Sequence, residues 1–166
     1  MFEYALLMVF PALLAFGGAY DLLTMTIPNR VSLALVGLFL VVAMIAGLSI
    51  EQILSHFAAG LLVLAAGIAL FAIGGFGGGD AKLLAAAALW IGFEQLLPFL
   101  VYVTFFGGLL AFAILFYRRL PLLGVYAPEW AIKLHKQGGG IPYGIAIASS
   151  ALLVCPKTAL FIASAV

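Results

Sequence analysis

Charge is what this 166-residue sequence has least of: seven Lys and Arg, six Asp and Glu, together 8% of the chain. An ordinary soluble domain carries about 25% charged residues. The formal net charge of +1 comes with no basic stripe, so there is no electrostatic footprint for nucleic acid. A single cysteine, Cys155, excludes an internal disulfide; as it lies in an apolar run, it reads as a small buried hydrophobe. With one Cys and two His, no zinc-binding spacing exists, and neither a metal nor an organic cofactor is expected. The opening Met1-Phe2-Glu3 lacks the positive start of a cleavable signal, and the apolar run after it reads as a retained anchor.

What fills the chain instead is hydrocarbon: 67% of residues are hydrophobic and the mean hydropathy is +1.32. Its solvent is a lipid bilayer. A helix crossing about 30 Å of hydrocarbon needs about 20 residues, which predicts an all-α membrane protein with six spans, near 2–20, 31–49, 54–74, 81–97, 99–117 and 141–163. The breaks are 21–30, a turn at 49–55, a glycine run at 74–79, a turn at 92–98 and a polar stretch at 118–140. These spans leave too few residues for a second soluble domain, so residues 1–166 read as one polytopic unit.

Arg30, Lys82, Arg118, Arg119, Lys133 and Lys136 fall in alternate breaks, and Glu51 and Glu94 in the others. Because retained loops carry the excess of Lys and Arg, this pattern predicts both termini outside, with Asp21 and Asp80 on the cytoplasmic face.

These two are the chain's only aspartates. Asp21 follows Gly17-Gly18 near the end of the first span, where small residues let a neighbouring helix approach. Pro28 then stops the helix, and Asn29 is expected to cap the next through an N–H near Ser32. Asp80 closes the run Gly74-Gly75-Phe76-Gly77-Gly78-Gly79, opening span four either as a plain N-cap followed by the anchor Lys82 or as a reactive acid. Irregular backbone at membrane depth must line protein or a wet cavity, so the run is expected to border a cavity and to offer backbone groups to an extended peptide.

Two neighbouring carboxylates cannot both ionise easily, which leaves one acid and one base for amide hydrolysis without a metal. The same acids could instead relay protons in a small transporter or channel, or merely cap helices in a scaffold. The relay reading calls for inverted repeats and acids in mid-span, and neither is evident.

Asp21 with Ile27-Pro28-Asn29, then Gly77-Gly78-Gly79-Asp80-Ala81-Lys82-Leu83, then Ile141-Pro142-Tyr143-Gly144, resembles the aspartic type IV prepilin peptidases. The short chain is similar in particular to the tight-adherence (Flp-type) branch. The resemblance implies that Asp21 and Asp80 are catalytic, and that the partner is a prepilin whose short basic leader is cut at the cytoplasmic side of the inner membrane. Gly77, Gly78, Gly79, Lys82, Pro28, Asn29, Pro142 and Tyr143 are the positions expected to bind substrate or shape the site. Larger relatives add a four-cysteine zinc domain and N-methylate the product, for which this sequence lacks the cysteines. The pair also resembles that of presenilin-type intramembrane proteases.

Three further expectations concern residues outside these motifs. Trp90 reads as an interface anchor and His56 as a solvated turn residue on the outer side. Pro128 to Lys136 reads as a short interfacial helix closed by Gly138, with a role either in lipid anchoring or in gating the site.

Overall fold

The computed structural model describes residues 2–120, 128–158, 160 and 161, with side chains from residue 8 onward. Every regular element among them is helical: α1 (Phe2–Thr24), α2 (Asn29–Ile45), α3 (Ile50–Ala72), α4 (Gly78–Tyr117), α5 (Glu129–His135) and α6 (Gly144–Val154), then a 3-10 turn at Cys155–Lys157. Two of them, α3 and α4, are long and apolar enough to cross a membrane. Leu33, Leu61, Phe105 and Phe112 on the outer faces are more than 60% exposed, a surface suited to lipid.

Element boundaries depart from the sequence expectation in ways that have local causes. Helix α1 continues to Thr24, which puts Asp21 inside it. It ends where Met25 takes a left-handed φ of 60°. Helix α3 starts at Ile50 because Ser49 and Gln52 form a reciprocal capping box, with bonds of 3.2 and 2.8 Å. The fourth and fifth expected spans appear as α4, broken only at Gly92, where φ 71° and ψ 172° leave the helical region. Glycine alone takes that conformation without strain. Pro98, expected in the turn, is inside the helix. The helix of the sixth span begins at Gly144 and ends at Val154, its remainder passing into the 3-10 turn, with residues 159, 162 and 163 outside the described residues.

The first arm of α4 (78–91) is the axis of the bundle. From Ala81 to Gly92 every residue except Lys82 is buried, under α1, α2, α3 and α6. Small residues make that possible. A Cβ added at Gly67 would lie 2.9 Å from the Cβ of Ala81, and one at Gly60 would lie 3.2 Å from the Ala85 carbonyl oxygen. In a bilayer such close backbone approach drives helix association in place of the hydrophobic effect.

The end of the bundle around Gly92 is pinned by two side chains whose sequence expectations fail. Trp90 is only 1% exposed; it stacks on Phe10 at 4.7 Å and donates from Nε1 to the Leu35 carbonyl at 2.9 Å, so it is a core clasp and no interface anchor. His56 is half-buried, its Nδ1 2.7 Å from the Leu89 carbonyl oxygen and its ring against Gly92. The kink at Gly92 takes away the intrahelical partners of the carbonyls before it. His56 supplies one of them, and is not a solvated turn residue.

Candidate active site

At the opposite end, the glycine run divides into two jobs. Gly74, at φ 75°, and Gly75 close α3, their N–H groups bonding the carbonyls of Phe71 at 2.9 Å and Leu70 at 3.0 Å. Gly77 is the N-cap of α4, and Asp80 stands in the first turn, so the aspartate is not itself the cap. Its carboxylate reaches back to accept the Gly77 N–H, the return half of a capping box. A Cβ at Gly77 would sit 2.5 Å from Asp80 Oδ2, and one at Gly79 would sit 3.2 Å from the Cβ of Ile27. Gly78 faces only the Phe71 ring, at an ordinary 3.5 Å. The first and third glycines of the triplet are therefore needed for space, and the middle one is not.

Asp21 is built from farther away. Helices α1 and α6 meet at Gly18 and Gly144: a Cβ on Gly18 would lie 2.9 Å from the Gly144 carbonyl oxygen, and one on Gly144 would lie 2.9 Å from the Cβ of Asp21. That approach lets the Gly144 N–H, at the start of α6, donate to Asp21 Oδ2 at 2.9 Å. Asp21 is 4% exposed and Asp80 9%, and Asp80 lies within the electrostatic field of Asp21. Two buried carboxylates thus lie within electrostatic reach of each other, each held by one backbone N–H at a helix N-terminus, where negative charge is favoured.

The other expected site residues divide. Tyr143 packs between Phe76 of the glycine run, with ring centroids 5.5 Å apart, and Gly107 on the second arm of α4. Pro142 is buried beside it. Pro28 is the N-cap of α2, and no side chain caps that helix. Asn29 is thus not the cap expected; its Oδ1 accepts from Lys82 Nζ at 2.9 Å. Lys82 and Asn29 pair with each other and not with the aspartates.

Three residues that matter here were not among the expected site positions. Gly144 and Gly18 sit in motifs that the sequence displays, but only the crossing of α1 and α6 shows that they hold Asp21. Arg118, read as a topological charge, bonds the carbonyls of Leu134 (2.8 Å), Gly139 and Gly140 (2.9 Å each). It thereby ties the short helix α5, which forms where expected, to the approach to α6.

No group of three or more His, Cys, Asp or Glu side chains among the described residues is placed to hold a metal ion. What stands at this end of the apolar helical bundle is a pair of buried acids. The profile of the type IV leader peptidase family matches residues 8–112, more than half of the chain and both aspartates included. The chain belongs to that family: it is a membrane-associated prepilin leader peptidase, an aspartic-type hydrolase. No curated protein and no solved structure matches it significantly.

Proposed function

We propose that Asp21 and Asp80 are the catalytic pair, and that the substrate is a Flp-type prepilin cut at the cytoplasmic face of the inner membrane. The observation that carries this reading is that two buried carboxylates from separate helices lie within electrostatic reach of each other, each engaged by one backbone N–H.

In this mechanism one aspartate is ionised and the other protonated, since like charges side by side resist joint ionisation. The ionised carboxylate takes a proton from the water as its oxygen attacks the scissile carbonyl carbon. The protonated partner gives its proton to the carbonyl oxygen, forming a tetrahedral diol. Proton return to the amide nitrogen then breaks the C–N bond. The leader leaves with a new carboxyl group and the pilin with a new amino terminus. Glycine at 77 and 144 leaves no side chain to shield the carboxylates from an extended peptide. The reaction needs neither a metal nor an organic cofactor.

We further propose one membrane domain of six crossings with both termini outside. In support, α4 folds back at Gly92: its first arm leaves the Asp80 end, and its second arm returns to meet Tyr143 and, through Arg118, Gly139 and Gly140. Arg30, Lys82, Arg118 and the residues Arg118 ties gather at the aspartate end, as retained loops do.

The test is co-expression with a Flp-type prepilin in membranes, with the leader followed by gel shift and mass spectrometry. Cleavage by the parent, lost in Asp21→Asn and in Asp80→Asn while both still insert, is the expected result. Normal cleavage by either variant would overturn the dyad. A parent that cuts other type IV prepilins but not the Flp-type would overturn only the substrate class.

A further inference from the structure

Helices α2 and α3 both pack on the first arm of α4 and meet each other at Phe39, whose ring lies 5.2 Å from His56 and 5.9 Å from Phe57. Between them runs a cleft of about 460 Å³, walled by Leu33, Val36, Leu61 and Leu64 and floored by Ala85 and Leu89. Leu33 and Leu61 are 70% and 61% exposed, so the cleft opens sideways to where lipid lies.

One end differs chemically from the rest. Lys82 and Asn29 line it, and among the described residues the partner of the Lys82 ammonium is the neutral Asn29 amide oxygen, at 2.9 Å. Exposed Arg30 is the next residue on α2, whose N-terminus has no side-chain cap. Ser32, 8% exposed, also lines the cleft, and its buried hydroxyl has no hydrogen-bond partner among the described residues. A buried hydroxyl without a partner is destabilising, and an uncapped helix start beside two cations favours an anion.

We infer that this cleft binds an anionic phospholipid, its phosphate at Lys82 and the start of α2, and one acyl chain along the apolar walls. A turn of the Ser32 side chain about χ1 brings its buried O–H to a phosphodiester or glycerol ester oxygen, which accepts it. The Lys82 ammonium and the positive end of the α2 dipole answer the phosphate charge, as basic pockets between membrane helices do for acidic headgroups. Free phosphate would leave the apolar length unused. A basic leader peptide would be repelled by Lys82 and Arg30.

The test uses the full chain purified in detergent, with phosphatidylglycerol or phosphatidylcholine of the same acyl chains added, and native mass spectrometry as readout. One phosphatidylglycerol is expected to stay bound at collision energies that strip phosphatidylcholine. Ser32→Ala should lower its retention about 3–10-fold, the equivalent of one hydrogen bond. Leu61→Trp, which fills the cleft from an outward-facing position and leaves the core alone, should abolish it. Equal retention of both lipids, or unchanged retention in Leu61→Trp, overturns the inference. So does a photoreactive residue at 61 that labels co-expressed prepilin and no lipid. Should Ser32→Ala fail to fold, Leu61→Trp and the lipid comparison still decide.

Discussion

The two aspartates have the same kind of partner but are held at very different ranges. Asp80 accepts an N–H from Gly77, three residues before it in the same turn of chain. Asp21 accepts one from Gly144, 123 residues away on another helix. The first arrangement is made as soon as α4 starts. The second exists only when α1 and α6 cross at two glycines. Damage near Asp80 should therefore stay local, whereas damage near Asp21 should be felt by the whole fold.

Breaking the pair itself ignores this difference and carries the largest effect. On the proposed mechanism, Asp21→Asn and Asp80→Asn should each lower prepilin cleavage by about 10³-fold or more, since each would remove the general acid or base. A rate assay on reconstituted enzyme checks this; an appreciably active single variant would break the symmetry of the two roles.

Gly144→Ala comes next. Its new methyl would fall 2.9 Å from the Asp21 Cβ and 3.2 Å from the Gly18 Cα, neither of which yields without separating the helices. We expect activity to fall about 100-fold from misplacement of the carboxylate, with about 1–3 kcal/mol lost to overpacking. Thermal melting in detergent and the cleavage assay should fall together.

Gly77→Ala separates the two readouts. Its methyl meets the Asp80 carboxylate, which can rotate away, so activity should drop roughly 10–100-fold while the melting temperature moves little. A large stability loss here would show that Asp80 is not the locally built member.

The control lies at the other end of the bundle. Trp90→Phe removes the bond to the Leu35 carbonyl and should cost about 1 kcal/mol of stability, seen as a lower melting temperature with unchanged specific activity. Smallest of all, Gly78→Ala meets only the Phe71 ring at 3.5 Å. It should change stability by about 0.5 kcal/mol or less and leave cleavage intact, which separates the middle glycine from its neighbours.

Much of this was legible in the chain because the signals were local. The apolar runs, the Ser49-x-x-Gln52 start of α3, the glycines that end α3 and open α4, and the short helix after Pro128 all depend on residues within a turn or two of each other. That Asp21 and Asp80 come within electrostatic reach of each other was legible for a different reason: acids are so scarce in this chain that two aspartates at glycine-bearing helix ends stand out. Asn29, Trp90 and His56 were misread for one shared reason. Each finds its partner on another helix, at Lys82, Leu35 and Leu89, and a local rule assigns such a residue to the nearest turn or interface instead.

By itself, then, the sequence determined that this chain is helical, apolar enough for a bilayer, and equipped with two placed acids at glycine breaks, because hydropathy and backbone freedom are properties of short stretches. Only the tertiary structure decided which backbone group holds Asp21, that α4 turns back on a single glycine under His56, and that Lys82 lines a cleft between α2 and α3. Those outcomes depend on how closely two helices can approach, and that distance is set by pairs of residues far apart in the chain.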